Sequence, residues 1–182
     1  MTLADVKKKV LALIEELNDD SQYLTDDVDI QAKINYVINQ IQFEVARVKK
    51  IHGMESFTVT ADQEMQLSDI DSNLYQINKV KGLEYEIDGD WITFKEAGTV
   101  KIYYFKYPQV ITSTTADSFI FELAPDAIEV LVYGVAADLL KSDVSSDYGV
   151  VYANRYKEMM QNLDPRLHSG SIYFSTTGEG VI

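Results

Sequence analysis

A chain of 182 residues with 46% hydrophobic and 11% aromatic side chains is long enough to bury a real core, which excludes disorder of the whole chain. The absence of Cys excludes disulfides, thiolate zinc sites and cysteine nucleophiles together, and is compatible with synthesis in a reducing cytoplasm. A formal net charge of −13 argues against general affinity for nucleic acid, whose phosphates are bound by neutralising them with Lys and Arg.

The start, MTLADVKKKVLALIEEL, places Lys7, Lys8 and Lys9 inside an amphipathic pattern and has no small-residue cleavage site. It reads as a helix and not a signal peptide. Thr2 and Asp5 have the spacing of a capping box, and Leu3, Val6, Val10, Leu13, Ile14 and Leu17 share one face of a helix expected to end at Asn18. The polar stretch NDDSQYLTDDVD leads to a second helix with Ile30, Ile34, Val37, Ile38, Ile41, Val45 and Val48 at helical spacing, expected to end near His52 and Gly53. Arg47, Lys49 and Lys50 complement the dipole at its end; the competing reading, a nucleic-acid patch, lacks aromatic interleaving. Asn35 and Asn39 fall within the apolar pattern, either as half-buried hydrogen-bonding groups or exposed.

From Met54 the period changes to two: Phe57 and Val59 suit a strand, MQLSDIDSNLYQINKVKG a strand interrupted by a turn, and LEYEI, DGD, WITF, EAG and TVKIYYFKYP hairpins joined by Gly-containing turns. In TVKIYYFKYP, Val100, Ile102, Tyr104 and Lys106 alternate with Lys101, Tyr103, Phe105 and Tyr107, so both faces of the strand carry apolar surface. Such a strand lies between two layers or is covered by a neighbouring subunit. Tyr103, Phe105 and Tyr107 are therefore candidate protein-interaction residues. After Pro108 comes a polar linker, QVITSTTADS. Pro125 then opens a third helix through Ile128, Leu131, Val132, Val135, Ala136, Leu139 and Leu140, in which Gly134, Ala136 and Ala137 allow close approach of another helix. A fourth helix, capped by Ser145 or Ser146, carries Val150, Ala153, Tyr156, Met160 and Leu163 and closes at Asp164 and Pro165. The remaining tail has no helical period, and its large apolar residues are Ile172, Tyr173 and Phe174. These are read either as an anchor that adds a strand or fills a groove on a partner, or as a segment pairing with the protein's own sheet.

Catalytic and ligand-binding patterns are weak throughout. The two histidines, His52 and His168, lie near element ends. Asp69, Asp71 and Asn73 imitate the start of a calcium loop, but Leu74 stands where glycine is needed and Val80 where a bidentate Glu should close it. Asp19, Asp20, Asp26, Asp27 and Asp29 lack fixed geometry and read as caps. Gly178 and Gly180 precede no helix, and there is no G-x-S-x-G elbow. Trp91 alone is no sugar platform, although pairing in space among 29 acids is invisible in one dimension. No catalytic residue, metal site, cofactor or membrane span is expected. Acids are spread along the chain, with seven from Glu15 to Asp29 and nine from Asp62 to Glu96. They read as a solvated surface, or as a wall past which DNA moves without adhering.

The second-helix stretch DIQAKINYVINQIQFEV, the strand ending VKIYYFKYP before a Thr/Ser-rich linker, the third-helix stretch APDAIEVLVYGVAADLL and the fourth-helix stretch VVYANRYKEMMQNL together cover most of the chain. In that order they resemble the head-to-tail connector, or adaptor, proteins of tailed bacteriophages. The resemblance implies a non-enzymatic virion protein of a phage or prophage, made in the bacterial host cytoplasm and placed at the head–tail junction. It implies a ring, commonly of twelve copies, between the portal protein and the tail or stopper protein, through which DNA passes without specific binding. The expected fold is α+β: an antiparallel helical bundle of about four helices, residues 1–53 plus 109–165, with an inserted antiparallel β subdomain, residues 54–108, and an extended C-terminal tail, residues 166–182. The alternative is a non-enzymatic acidic module that binds another protein through the β insert.

Overall fold

The computed structural model describes residues 1–14, 28–142 and 147–163. In chain order these form α1 (Leu3–Leu13), α2 (Val28–Val48), β1 (Ile51–Val59), β2 (Gln63–Gln66), α3 (Leu67–Ile70), β3 (Leu74–Lys81), β4 (Tyr85–Asp88), β5 (Trp91–Phe94), β6 (Gly98–Lys106), α4 (Pro125–Leu139) and α5 (Tyr148–Leu163). A 3₁₀ turn, Leu140–Ser142, follows α4.

The helices gather around α4. Its buried residues, Ala127, Ile128, Val130, Leu131, Val132, Gly134, Val135 and Ala136, run almost without interruption, and a helix that is apolar all round must be covered on every side. α1, α2 and α5 supply that cover. Gly134 permits the closest approach, since a Cβ there would lie 2.8 Å from both Ile41 of α2 and Tyr156 of α5. α1 is started by the capping box, with Asp5 N–H donating to Thr2 Oγ1 and Thr2 N–H to Asp5 Oδ2. Its Lys9 is ion-paired with Glu129 of α4. α2 buries Ile34, Val37, Ile38, Ile41 and Val45 on one face. Asn35 and Asn39 are hydrogen-bonding groups: Asn35 Nδ2 donates to the Thr112 carbonyl at 3.0 Å, and Asn39 Oδ1 accepts from Ile111 N–H at 2.8 Å. They fasten the connection between β6 and α4 to the helices and allow Ile111 to be buried.

The strands form two antiparallel sheets of three, in the orders β1-β6-β3 and β2-β5-β4. Val100, Ile102 and Tyr104 of the first and Ile92 and Phe94 of the second share one buried cluster, closed at an edge by Ile70 of α3. The sheets therefore pack face to face, each with an outer surface pointing away from the other. β3 is irregular. Its register to β6 shifts between Leu74 and Gln76 and again between Ile77 and Lys79, so Tyr75 and Asn78 are extra residues. These two bulges place Leu74, Ile77 and Val80, three apart, all against the shared cluster.

These findings correct the expected bundle of about four helices carrying an inserted antiparallel β subdomain. The described residues hold five helices and two three-stranded antiparallel sheets, about 46% helix and 28% strand, in the α+β class. The helices enclose one apolar member, and the chain crosses between sheets after β1, after α3, after β3 and after β5, which a simple run of hairpins does not do. α2 also stops at Val48, not near His52 and Gly53. Those two residues pair with Phe105 and Tyr104 in β1. Gly53 has to be glycine-sized there, because a Cβ would lie 2.3 Å from the Tyr104 ring. In α5 the expected inward Val150 is exposed, and Tyr152 and Met159 pack against the core with Tyr156, Met160 and Leu163. Residues 166–182, the Ser145 and Ser146 cap, the acids Asp19, Asp20, Asp26 and Asp27, and His168 lie outside the described residues.

Candidate functional site

The outer face of the β1-β6-β3 sheet follows from the alternation of β6. With Val100, Ile102 and Tyr104 turned inward, Lys101, Tyr103 and Phe105 face out. Register then sets their neighbours. Tyr103 lies between Met54 and Lys79, and Phe105 between His52 and Gln76. The rings form a continuous row: His52 meets Phe105 edge-on at 4.9 Å, Tyr75 lies 6.4 Å from Phe105 and 4.6 Å from Tyr107, and Tyr107 reaches Phe43 of α2 at 6.0 Å. Lys50 Nζ sits 4.3 Å above Phe105, and Lys81 Nζ lies 5.1 Å from Tyr103. Met54 is 51% and Tyr107 45% exposed. The three strand-end aromatics singled out in the sequence, Tyr103, Phe105 and Tyr107, thus stand together on one solvent-facing sheet surface. Ile172, Tyr173 and Phe174 lie outside the described residues.

His52, Met54, Tyr75, Lys79 and Lys81 join this surface from the two flanking strands and had no signal of their own. Only cross-strand register, and the bulge that turns Tyr75, bring them beside Tyr103 and Phe105.

A second cluster sits where the inner end of β6 meets the connection to α4. Lys106 Nζ donates to Glu122 Oε1 at 2.6 Å and lies 3.4 Å from Asp71 Oδ2. Asp71 also accepts from Asn73 N–H at 2.9 Å and from the Tyr104 hydroxyl at 3.1 Å. Burial, with the Asp71 carboxylate beside it, pushes the Tyr104 hydroxyl up to about 12. Burial works against the Asp71 carboxylate too, but the Asn73 N–H, the Lys106 charge and the Tyr104 hydroxyl together hold its pKa below the ordinary value. Burial likewise opposes the Lys106 ammonium, and Glu122 and Asp71 outweigh it and raise its pKa. Lys106 is shared by the two carboxylates, and the cluster ties the end of β6 to the connection that leads to α4. Asp71, the middle residue of the apparent calcium-loop start, is occupied here, while Asp69 lies within α3.

A groove of about 310 Å³ runs between α4 and α5, with Val130, Met159 and Leu163 at its base and Asp126 and Arg155 at its rim. Arg155 is already paired with Glu158 at 3.0 Å. Among the described residues no group of three or more His, Asp or Glu side chains is placed to hold a metal ion, and no helix is long and apolar enough to cross a membrane. No protein-family model matches the chain, and no curated protein matches it.

Proposed function

We propose that this chain is a non-enzymatic structural subunit of a tailed phage or prophage, a connector that assembles as a ring at the head–tail junction between portal and tail or stopper and leaves a channel for DNA. One observation carries the assembly part of this reading: the central strand β6 has one face in the core and a half-buried aromatic row on the other, on the solvent side. An aromatic surface of this kind is the composition of a protein contact. The resemblance of the helical stretches and of VKIYYFKYP to connector proteins supports the place in the virion, and the net charge of −13 supports a wall along which DNA slides without adhering. Ile172, Tyr173 and Phe174 are the proposed portal anchor.

The test is the particle and the gene. A gene flanked by portal and tail genes is expected, with rings in electron micrographs of the full chain, alone or mixed with that portal protein. A chain that stays monomeric at all concentrations in both conditions overturns the ring and favours the acidic binding module. Deleting residues 166–182 is expected to leave folding intact and abolish capture by the portal; retained capture overturns the anchor.

A further inference from the structure

The two outer faces of the β sandwich carry opposite charge. On the β1-β6-β3 face, Lys79, Lys81 and Lys101 are exposed and none makes an ion pair among the described residues. The other outward positions there, among them His52, Met54, Ser56, Tyr103 and Phe105, include no carboxylate. In a chain with 29 acids and 16 bases, that is a local reversal of sign. The β2-β5-β4 sheet has the complementary arrangement. With Ile92 and Phe94 inward, its outward positions are Glu64 and Glu86, which flank Thr93 in register, and Gln66 and Asp88, which flank Trp91. Trp91 is 45% exposed, and among the described residues the one cation paired with this surface is Lys95, at 2.7 Å from Glu86.

We propose that the lysine and aromatic face of one copy docks on the acidic face of a second copy, so that Lys79 and Lys101 meet Glu64 and Glu86 and the Tyr103–Phe105 row meets Trp91. This rests on the reading of the chain as a ring subunit and supplies the direction of its packing. The faces lie on opposite sides of one sandwich, so the contact is heterologous. Each copy receives a neighbour on one side and offers itself on the other, which generates a closed ring when the rotation closes. A two-fold contact between identical faces sets lysine against lysine or carboxylate against carboxylate and is disfavoured. Four-residue strands rising about 3.3 Å per residue and spaced about 4.8 Å apart make the smaller face roughly 13 by 14 Å. A patch of that size orients neighbours, while closure of the ring adds the avidity that holds them. Single-stranded nucleic acid is the competing occupant of an aromatic and lysine surface. The strongly negative remainder of the chain, with an acidic face on the far side of the same sandwich, disfavours it.

The experiment is a charge swap on the full chain in whichever condition, alone or with portal, assembles the wild type. K79E/K101E alone and E64K/E86K alone are each expected to lose the assembled species in sedimentation velocity. An equimolar mixture of the two is expected to restore it, because every interface then pairs opposite charges again. Circular dichroism melts that match wild type establish that the variants are folded. If both variants assemble like the wild type, or the mixture fails to recover while both are folded, this docking is overturned and the ring reading stands on other contacts. If the wild type assembles in neither condition, the ring reading fails and the docking with it. Fluorescein-labelled oligothymidylate serves as the other arm: binding by wild type that K79E/K101E abolishes gives the face to nucleic acid and overturns the docking.

Discussion

α4 and β6 each sit at the centre of their own region, and they are buried differently. α4 is surrounded by α1, α2 and α5, and its apolar residues are used up within the chain. β6 gives Val100, Ile102 and Tyr104 to the second sheet and keeps Tyr103 and Phe105 at the surface. A helix that is apolar all round has one solution, which is to be enclosed. A strand with two apolar faces in a sandwich has only one face covered, so the other remains available to a neighbour. The central helix is therefore closed off within the chain, while the central strand leaves one face open.

The largest expected effect comes from emptying either centre. Phe94 is fully buried between the sheets, and Phe94→Ala should cost about 3–5 kcal/mol. Leu131→Ala in α4 should cost about 2–5 kcal/mol. Urea unfolding followed by Trp91 fluorescence and by helical ellipticity reads the two regions separately. If the two probes stay coincident in both variants the regions are one cooperative unit, and if they separate the contrast between them extends to stability.

Next come the two close approaches. Gly134→Ala, forced against Ile41 and Tyr156, and Gly53→Ala, forced against the Tyr104 ring, should each cost about 1–3 kcal/mol by overpacking. A neutral Gly53→Ala would show that the Tyr104 ring is free to move, and with it the Asp71 contact. Lys106→Met removes the cation shared by Asp71 and Glu122 at the joint between regions, where both partners are largely buried. A loss of about 2 kcal/mol is expected, with Asp71→Asn partly compensating it in the double variant.

The smallest effects are those of pH. Tyr104 and Tyr156 have raised values in the fold, each chiefly through burial, with Asp71 and Glu44 respectively adding to it. Above about pH 10 an unfolded tyrosine gives up its proton while these two retain theirs, so stability falls as pH rises toward 12. Lys106, also raised, loses its contribution in the same direction. Asp71 acts at the other end: its lowered value supports the fold above about pH 4, and the support is lost as pH falls through the folded value. Denaturant midpoints at alkaline pH should fall less in Tyr104→Phe than in wild type; an unchanged difference removes Tyr104 from the account.

Much of the helical pattern was legible because it is local. Ile34, Val37, Ile38, Ile41 and Val45 lie on one face whatever they pack against, and Pro125 with the apolar run after it marks α4. Val150 differs because α5 has apolar residues at more than one phase, and only packing against the core selects Tyr152 and Met159 beside Tyr156 and Met160. The strand character of residues 54–108 was legible, but their division into two sheets was not, since pairing joins Val59 to Gly98 and Leu74 to Lys106 across long stretches.

The candidate surface divides the same way. Period-two alternation in β6 set Tyr103 and Phe105 apart from Val100, Ile102 and Tyr104 by sequence alone, because a strand turns successive side chains to opposite sides. Which side met a second sheet, which lysines came to stand beside the exposed rings, and that Glu64 and Glu86 would collect on the opposite surface were settled only by long-range register and by the bulges at Tyr75 and Asn78. Periodicity is written into neighbouring residues, whereas charge segregation between two faces depends on which distant strands become partners.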